Sequence, residues 1–159
     1  MFREMRRIKQ QLNKAECLEI LKTEKRGVLS LVGDFGYPYG VPINFYLSED
    51  NKIYFHGAKQ GHKIDSVKKD NKACFTVYNK GCQSSTKPGL DVKSVIIFGK
   101  IKILEDKNKT VEICRKLAHR FPFADKNYIE DEIKNFSKFV CVLELIPECI
   151  TGKIINESW

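Results

Sequence analysis

No apolar run in this chain approaches the roughly eighteen residues of a membrane-spanning helix. The opening MFREMRRIKQ carries neither the apolar core nor the small-residue cleavage site of a secretion signal. A cytoplasmic protein with no membrane partner is therefore expected. The six cysteines (Cys17, Cys74, Cys82, Cys114, Cys141 and Cys149) include no C-x-x-C pair. Most lie inside apolar stretches such as Ala73-Cys74-Phe75 and Val140-Cys141-Val142, which reads as reduced core thiols. A zinc site built from Cys74, His56 and His62 has no ligand spacing behind it, so no metal is expected. A phosphate-binding P-loop is missing, as is any local signature joining a nucleophile to a base. Gly33-Asp34-Phe35-Gly36 is a hairpin turn outside any βαβ context, so it is no dinucleotide fingerprint. If the protein catalyses a reaction, a bound cofactor has to supply the chemistry.

What is present is moderate in every respect. The 159 residues, 42% hydrophobic and 11% aromatic, suffice for one domain with its own core, spanning 1–159 with a basic lead-in over 1–12. The net charge of +8 comes from lysines and arginines spread over every segment and interspersed with acids. No aromatic-basic stacking motif accompanies them, so the pattern reads as a solvated surface and not as a nucleic-acid partner's footprint.

The most informative stretch is KIYFHGAKQGHKIDSVKKD, Lys52 to Asp70. The short strand Ile53-Tyr54-Phe55 runs toward a turn where Gly57 and Gly61 permit close backbone approach, and His62-Lys63-Ile64-Asp65 opens a helix. Unpaired N–H groups at a helix start attract phosphate, and Lys59 and Lys63 add positive charge. The same pattern also fits a plain strand-to-helix connection, and both readings stand at this point. His56 follows the strand and precedes glycine at the edge of this segment, a place for either a functional imidazole or a core-edge histidine satisfied by backbone. His119 lies beside the apolar face of its helix and reads as structural or solvent-facing.

Elsewhere, Asn13 with Glu16 makes a capping box for a helix whose apolar positions are Ala15, Leu18 and Leu21, with Gly27 ending it. Strands are expected at Val28–Val32, Tyr39–Leu47, Ile53–Phe55, Ala73–Tyr78 and Val95–Leu104. Between the last two lies a polar loop, Asn79 to Lys93. Asp106 caps a second helix with Val111, Cys114, Leu117, Ala118 and Phe121 on one face, stopped by Pro122. A third helix follows near Tyr128 to Phe136. Strands Phe139–Leu145 and Ile150–Ile155 close the chain, with Pro147 marking a turn between them. About seven strands at short spacing give an α+β protein with a mainly antiparallel sheet and two or three peripheral helices, of the kind that closes into a barrel to hide its edges.

Five segments in order, PYGVPINFYL (Pro38 to Leu47), IYFHGAKQGHKID (Ile53 to Asp65), ACFTV (Ala73 to Val77), SVIIFGK (Ser94 to Lys100) and ITGK (Ile150 to Lys153), resemble the pyridoxamine 5′-phosphate oxidase-like flavin-binding proteins. The nitroimidazole-resistance-type branch looks most similar, and the match covers nearly the whole chain, from about Asn13 to Lys153. This resemblance implies a split β-barrel that pairs as a homodimer, with FMN in the groove between subunits. It implies that backbone around Pro42, Ile43 and Asn44 borders the flavin ring and that His56, Gly57, Ala58 and the Lys63 side chain serve the phosphate end. Ser94 and Val95 would approach the flavin from the other subunit, and His56 would also face the reacting ligand as the catalytic candidate. Each has a plainer explanation as well. Pro42 would mark a sheet edge or bulge, Ser94 would be an ordinary strand-start residue, and Asn44 would face solvent.

The arginine-rich substrate-phosphate motifs of authentic pyridoxamine phosphate oxidases are missing, which counts against vitamin B6 oxidation. The activity implied is electron transfer from a reduced nicotinamide donor through FMN to a small-molecule acceptor, such as a nitroaromatic. The alternative is a non-catalytic flavin- or haem-binding module, with His56 available to iron.

Overall fold

A computed structural model describes residues 2–121 and 125–158. Its elements run β1 (Gln11–Leu12), α1 (Lys14–Thr23), β2 (Arg26–Val32), β3 (Pro38–Asn44), β4 (Tyr46–Leu47), β5 (Ile53–Ala58) and α2 (His62–Lys69). There follow β6 (Lys72–Tyr78), β7 (Cys82–Gln83), β8 (Leu90–Ile103), α3 (Lys107–His119), α4 (Lys126–Phe136) and β9 (Val140–Glu157). All strands join one antiparallel sheet in the order β3-β2-β6-β8-β9-β5-β4, with β1 on β9 and β7 on β8. The sheet curls into a half-barrel, an α+β split-barrel fold with four α-helices among the described residues where the sequence suggested two or three. Among the described residues no helix is long and apolar enough to cross a membrane.

The cap signals behave as their chemistry requires. Asn13 Oδ1 accepts from Glu16 N at 3.0 Å while Asn13 N donates to Glu16 Oε2 at 2.9 Å, closing the capping box of α1. Asp106 Oδ1 accepts from Lys109 N at 3.0 Å and starts α3. Gly27 does not end α1, which stops at Thr23. It lies in β2 instead, where a Cβ would strike the Phe75 ring at 2.5 Å.

Three other expectations are corrected. Strand β5 continues through His56 and Gly57 to Ala58 because Gly57 pairs with Cys141 and Ala58 with Val140, so the turn comes later. Residues 90–93, read as loop, extend β8 because β9 is long enough to pair them. Pro147 marks no turn; β9 runs unbroken past it, and the register slips by one residue between Phe98/Cys149 and Gly99/Pro147, a bulge that absorbs the proline. The proposed stop of α3 at Pro122 falls outside the described residues.

Alternation along the strands divides the sheet into two faces. Leu29, Phe75 and Ile97 lie side by side on β2, β6 and β8 and enter the main core with Phe45, Phe55, Ile53, Leu143 and Leu145. A smaller cluster of Tyr54, Ile113, Leu117 and Val142 packs α3 against the other side of β5 and β9. The outward face of the sheet presents the row Pro42, Val28, Thr76, Ile96, Thr151 and beside it Gly40, Ser30, Cys74, Phe98, Cys149. Ile96 and Phe98 there are 38% and 40% exposed.

Candidate functional site

Strand β5 sends neighbouring side chains to opposite sides. Phe55 enters the main core, whereas Tyr54 lies with α3. His56 follows on the Tyr54 side and lines a crevice of about 330 Å³ between α3, α4 and the ends of β3 and β5. Gly57 comes next, on the core side. The place its Cβ would occupy is taken by the Lys63 side chain, with Nζ at 2.5 Å and Cε at 3.2 Å from that position.

This lysine is half-buried, and burial pulls its pKa below that of a free lysine against a weaker upward pull from Cys141. No carboxylate among the described residues forms an ion pair with it. A desolvated ammonium without a counter-charge is a place where an anion regains lost stability. Helix α2 starts at the same spot: Gly61, at φ 113°, is its N-cap, and no side chain caps it. Its first amides are therefore left for other acceptors. Gly61 is the residue here whose backbone needs glycine; Gly57 is needed for the space above it.

His62, one residue before Lys63, is used differently. Its ring stacks on Tyr39 with centroids 3.9 Å apart, and Nε2 stands 3.6 Å from Asp34 Oδ2. It fastens the start of α2 to the β2–β3 turn. Among the described residues no group of three or more His, Cys, Asp or Glu is arranged to hold a metal.

The candidate residues fall into four pairs, with Ala58 closing β5 opposite Val140. Asn44 and His56 meet at the crevice, where Asn44 Oδ1 also accepts from Arg26 Nε at 3.3 Å. Gly57 and Lys63 form the cationic corner on the other side of β5, and the Lys63 charge adds to burial in lowering the His56 pKa. Burial is the larger cause, and both favour the neutral imidazole. Pro42 and Ser94 sit on the outward sheet face, Pro42 opposite Val28 and Ser94 opposite Tyr78 and Lys153. Ile43 and Val95 turn their side chains into the core; Ile43 lies on the edge strand and keeps a free backbone side, whereas Val95 is paired with Val77 on one side and Gly152 on the other. Strands β3 and β8 are separated by β2 and β6, roughly 14 Å in a sheet of ordinary spacing, so Ser94 does not join Asn44 within one chain. Ser94 is a mid-strand residue and not a strand start, while Pro42 does lie on the edge strand its chemistry favours.

Sequence reasoning passed over two features. The crevice wall of Leu117, Phe121, Tyr128, Ile129, Ile133 and Phe136 is one; its signal was the spacing Ile129, Ile133, Phe136, an apolar stripe on a helix with nothing assigned to it. The other is Glu144, only 3% exposed in the middle of the β9 apolar run. It accepts from Tyr54 Oη at 2.7 Å and pairs with Lys102 at 3.1 Å and Lys109 at 3.3 Å. Burial pushes its pKa up, but these hydrogen bonds outweigh it and the net shift is downward.

The fold is a split barrel that carries a cationic corner at one helix start and a crevice beside it. The sequence model of the pyridoxamine 5′-phosphate oxidase family matches residues 13–154, and the chain belongs to that family. Among solved structures it is similar to a candidate 5-nitroimidazole antibiotic resistance protein of Bacteroides thetaiotaomicron, at 20% identity and a TM-score of 0.75, over 91% of this chain and 86% of that one. An FAD-binding protein of Mesorhizobium loti matches at 20% identity and a TM-score of 0.71, covering 92% and 98% of the two chains. A flavocytochrome of Azotobacter vinelandii matches at 17% identity and a TM-score of 0.71, over 98% of this chain and 73% of the other. None of the curated proteins matches the chain. At these identities the structural likeness speaks to fold.

Proposed function

We propose that this chain is an FMN-binding oxidoreductase that works as a homodimer and passes electrons from a reduced nicotinamide donor to a small acceptor, with a nitroaromatic as the model case. The observation that carries the reading is the Lys63 ammonium, half-buried over Gly57 without a carboxylate partner at the uncapped start of α2. One ammonium and a few amides suit a single terminal phosphate. Family membership and the flavin-binding names of several structural neighbours, two of them FAD-binding, support a flavin; the single phosphate at Lys63 is what selects FMN in this reading.

When bound, FMN supplies the electron-carrying ring, and the chain's residues do the rest. Lys63 and the first amides of α2 hold the phosphate. Strand β3 is the sheet edge, so backbone groups on its free side around Pro42, Ile43 and Asn44 can hydrogen-bond the ring's polar rim. The His56 imidazole lines the crevice, where it can hydrogen-bond a ligand and hold or release a proton; burial first and the Lys63 charge second lower its pKa and favour the uncharged form. A second copy seated on the Ile96–Phe98 face would bring its Ser94 hydroxyl toward the first copy's groove, with Val95 fixing that stretch of strand from the core, and would cover apolar side chains that a monomer leaves wet.

The test is Lys63→Ala titrated with FMN and with riboflavin, which lacks the phosphate. FMN affinity is expected to fall by roughly ten- to a hundredfold, the worth of one charge-assisted contact, while riboflavin is little changed. Equal losses for both would place Lys63 away from the phosphate.

A further inference from the structure

The crevice beside His56 differs from its neighbour in a way that points to its occupant. A second cavity of about 510 Å³, between α2, the end of β8 and the start of α3, is ringed by Lys59, Lys68, Lys107 and Lys138. The crevice under α3 and α4 has no lysine or arginine among its described lining residues, although the chain carries +8. Its walls are Leu117, Ile129, Ile133, Val140 and the rings of Phe121, Tyr128 and Phe136, and its few polar groups include Asn44, His56 and Glu132. Tyr128 and Phe136 leave 57% and 50% of their surface exposed, apolar area at the rim that a ligand would cover.

We infer that this crevice seats a neutral, flat, two-ring molecule carrying one hydrogen-bonding oxygen, which is held at His56. Size suits two rings: a closed cavity of about 150 Å³ holds one benzene, and this open crevice of about 330 Å³ has room for a fused pair. Charge sets the neutrality: Glu132 in the wall, with no lysine or arginine among the described lining residues, disfavours an anion, and the otherwise apolar walls disfavour burying a cation. The oxygen is set by His56, whose imidazole lines the crevice and can hydrogen-bond a ligand there. As the seat of the electron acceptor the crevice rests on the flavin reading; as a ring-binding site it does not.

The test uses the whole chain, with and without FMN, and three isosteric probes followed by calorimetry. These are 2-acetylnaphthalene, its anionic counterpart 2-naphthoate, and 2-ethylnaphthalene, which lacks the oxygen. The inference predicts saturable binding of 2-acetylnaphthalene at one site per chain and at least tenfold weaker binding of 2-naphthoate. Ala118→Phe, which fills the crevice from α3, is expected to abolish binding while FMN uptake persists. Phe136→Ala, at an exposed position that does not threaten the fold, is expected to weaken binding severalfold. His56→Ala should cost 2-acetylnaphthalene its advantage over 2-ethylnaphthalene. Equal binding of the anionic probe, unaltered binding in both wall variants, or no saturable binding overturns the inference. FMN uptake without ring binding defeats this inference alone; ring binding without FMN uptake defeats the flavin reading alone.

Discussion

Replacing Gly57 with alanine is the sharpest probe of the cationic corner, because the new methyl group changes one thing. Gly57 lies within β5 and does not have positive φ, so alanine fits the backbone and by removing glycine's extra freedom favours the strand by about 0.5 kcal/mol or more. The added Cβ meets Lys63 Nζ at 2.5 Å, whereas ordinary contact begins at 3.4 Å. The far end of this flexible side chain must therefore retreat by roughly 1 Å, at small cost to the fold. A charge-assisted hydrogen bond of about 2.8 Å does not survive such a displacement. The expected loss is on the order of 1.5–3 kcal/mol, or about ten- to a hundredfold in FMN affinity. Quenching of FMN fluorescence on titration measures it, with riboflavin as the phosphate-free control and thermal unfolding as the check on folding. The decisive version is a double-mutant cycle: in a Lys63→Ala background, Gly57→Ala should cost almost nothing, because the group it displaces is gone. An undiminished cost in that background, or an equal loss of riboflavin, would refute the assignment of Gly57 as the seat of the lysine.

Two further predictions concern parts of the structure away from the corner. Glu144 has a folded pKa below its unfolded value, so the stability it contributes is present above the unfolded pKa and is lost as pH falls through the folded one. Glu144→Gln is expected to destabilise by about 1–3 kcal/mol at neutral pH, the cost being limited because Lys102 and Lys109 can return to water, and to flatten the acidic limb of the stability profile. Urea melts from neutral pH to below the ordinary carboxylate range would show it, and a variant with an unchanged acidic limb would contradict the network. For the sheet face, Ile96→Glu would bury a carboxylate against a second copy; light scattering should find a dimer for the parent chain and a monomer for the variant. A parent monomer would remove this face as the interface.

Much of the fold was legible because local chemistry and tertiary structure agree. The Asn13/Glu16 capping box, the Asp106 cap and the alternation in Lys72–Tyr78 each specify an element that packing then keeps. The boundaries that went astray were those set by partners distant in sequence. Gly57 and Ala58 are strand because β9 pairs them, residues 90–93 because β9 is long, and Pro147 is carried through by a bulge opposite Gly99. A sequence window sees the glycine and the proline but not the partner strand.

The site divides in the same way. Lys63 at a helix start beside glycine was readable, since the pattern is local. The crevice was not, because it joins Asn44 and His56 to helices more than fifty residues further along the chain. The split of His56 and Lys63 to opposite sides of β5 depends on strand β5 continuing to Ala58, which only the β9 ladder fixes.

The central claim, a flavin held by its phosphate, is met most directly by titrating the purified chain with FMN while recording absorbance and flavin fluorescence. The account predicts saturable uptake of one FMN per chain and clear preference over riboflavin, with the bound flavin reduced on anaerobic addition of NADH or NADPH. A chain that takes up no FMN, or that instead carries a Soret band lost in His56→Ala, would contradict it.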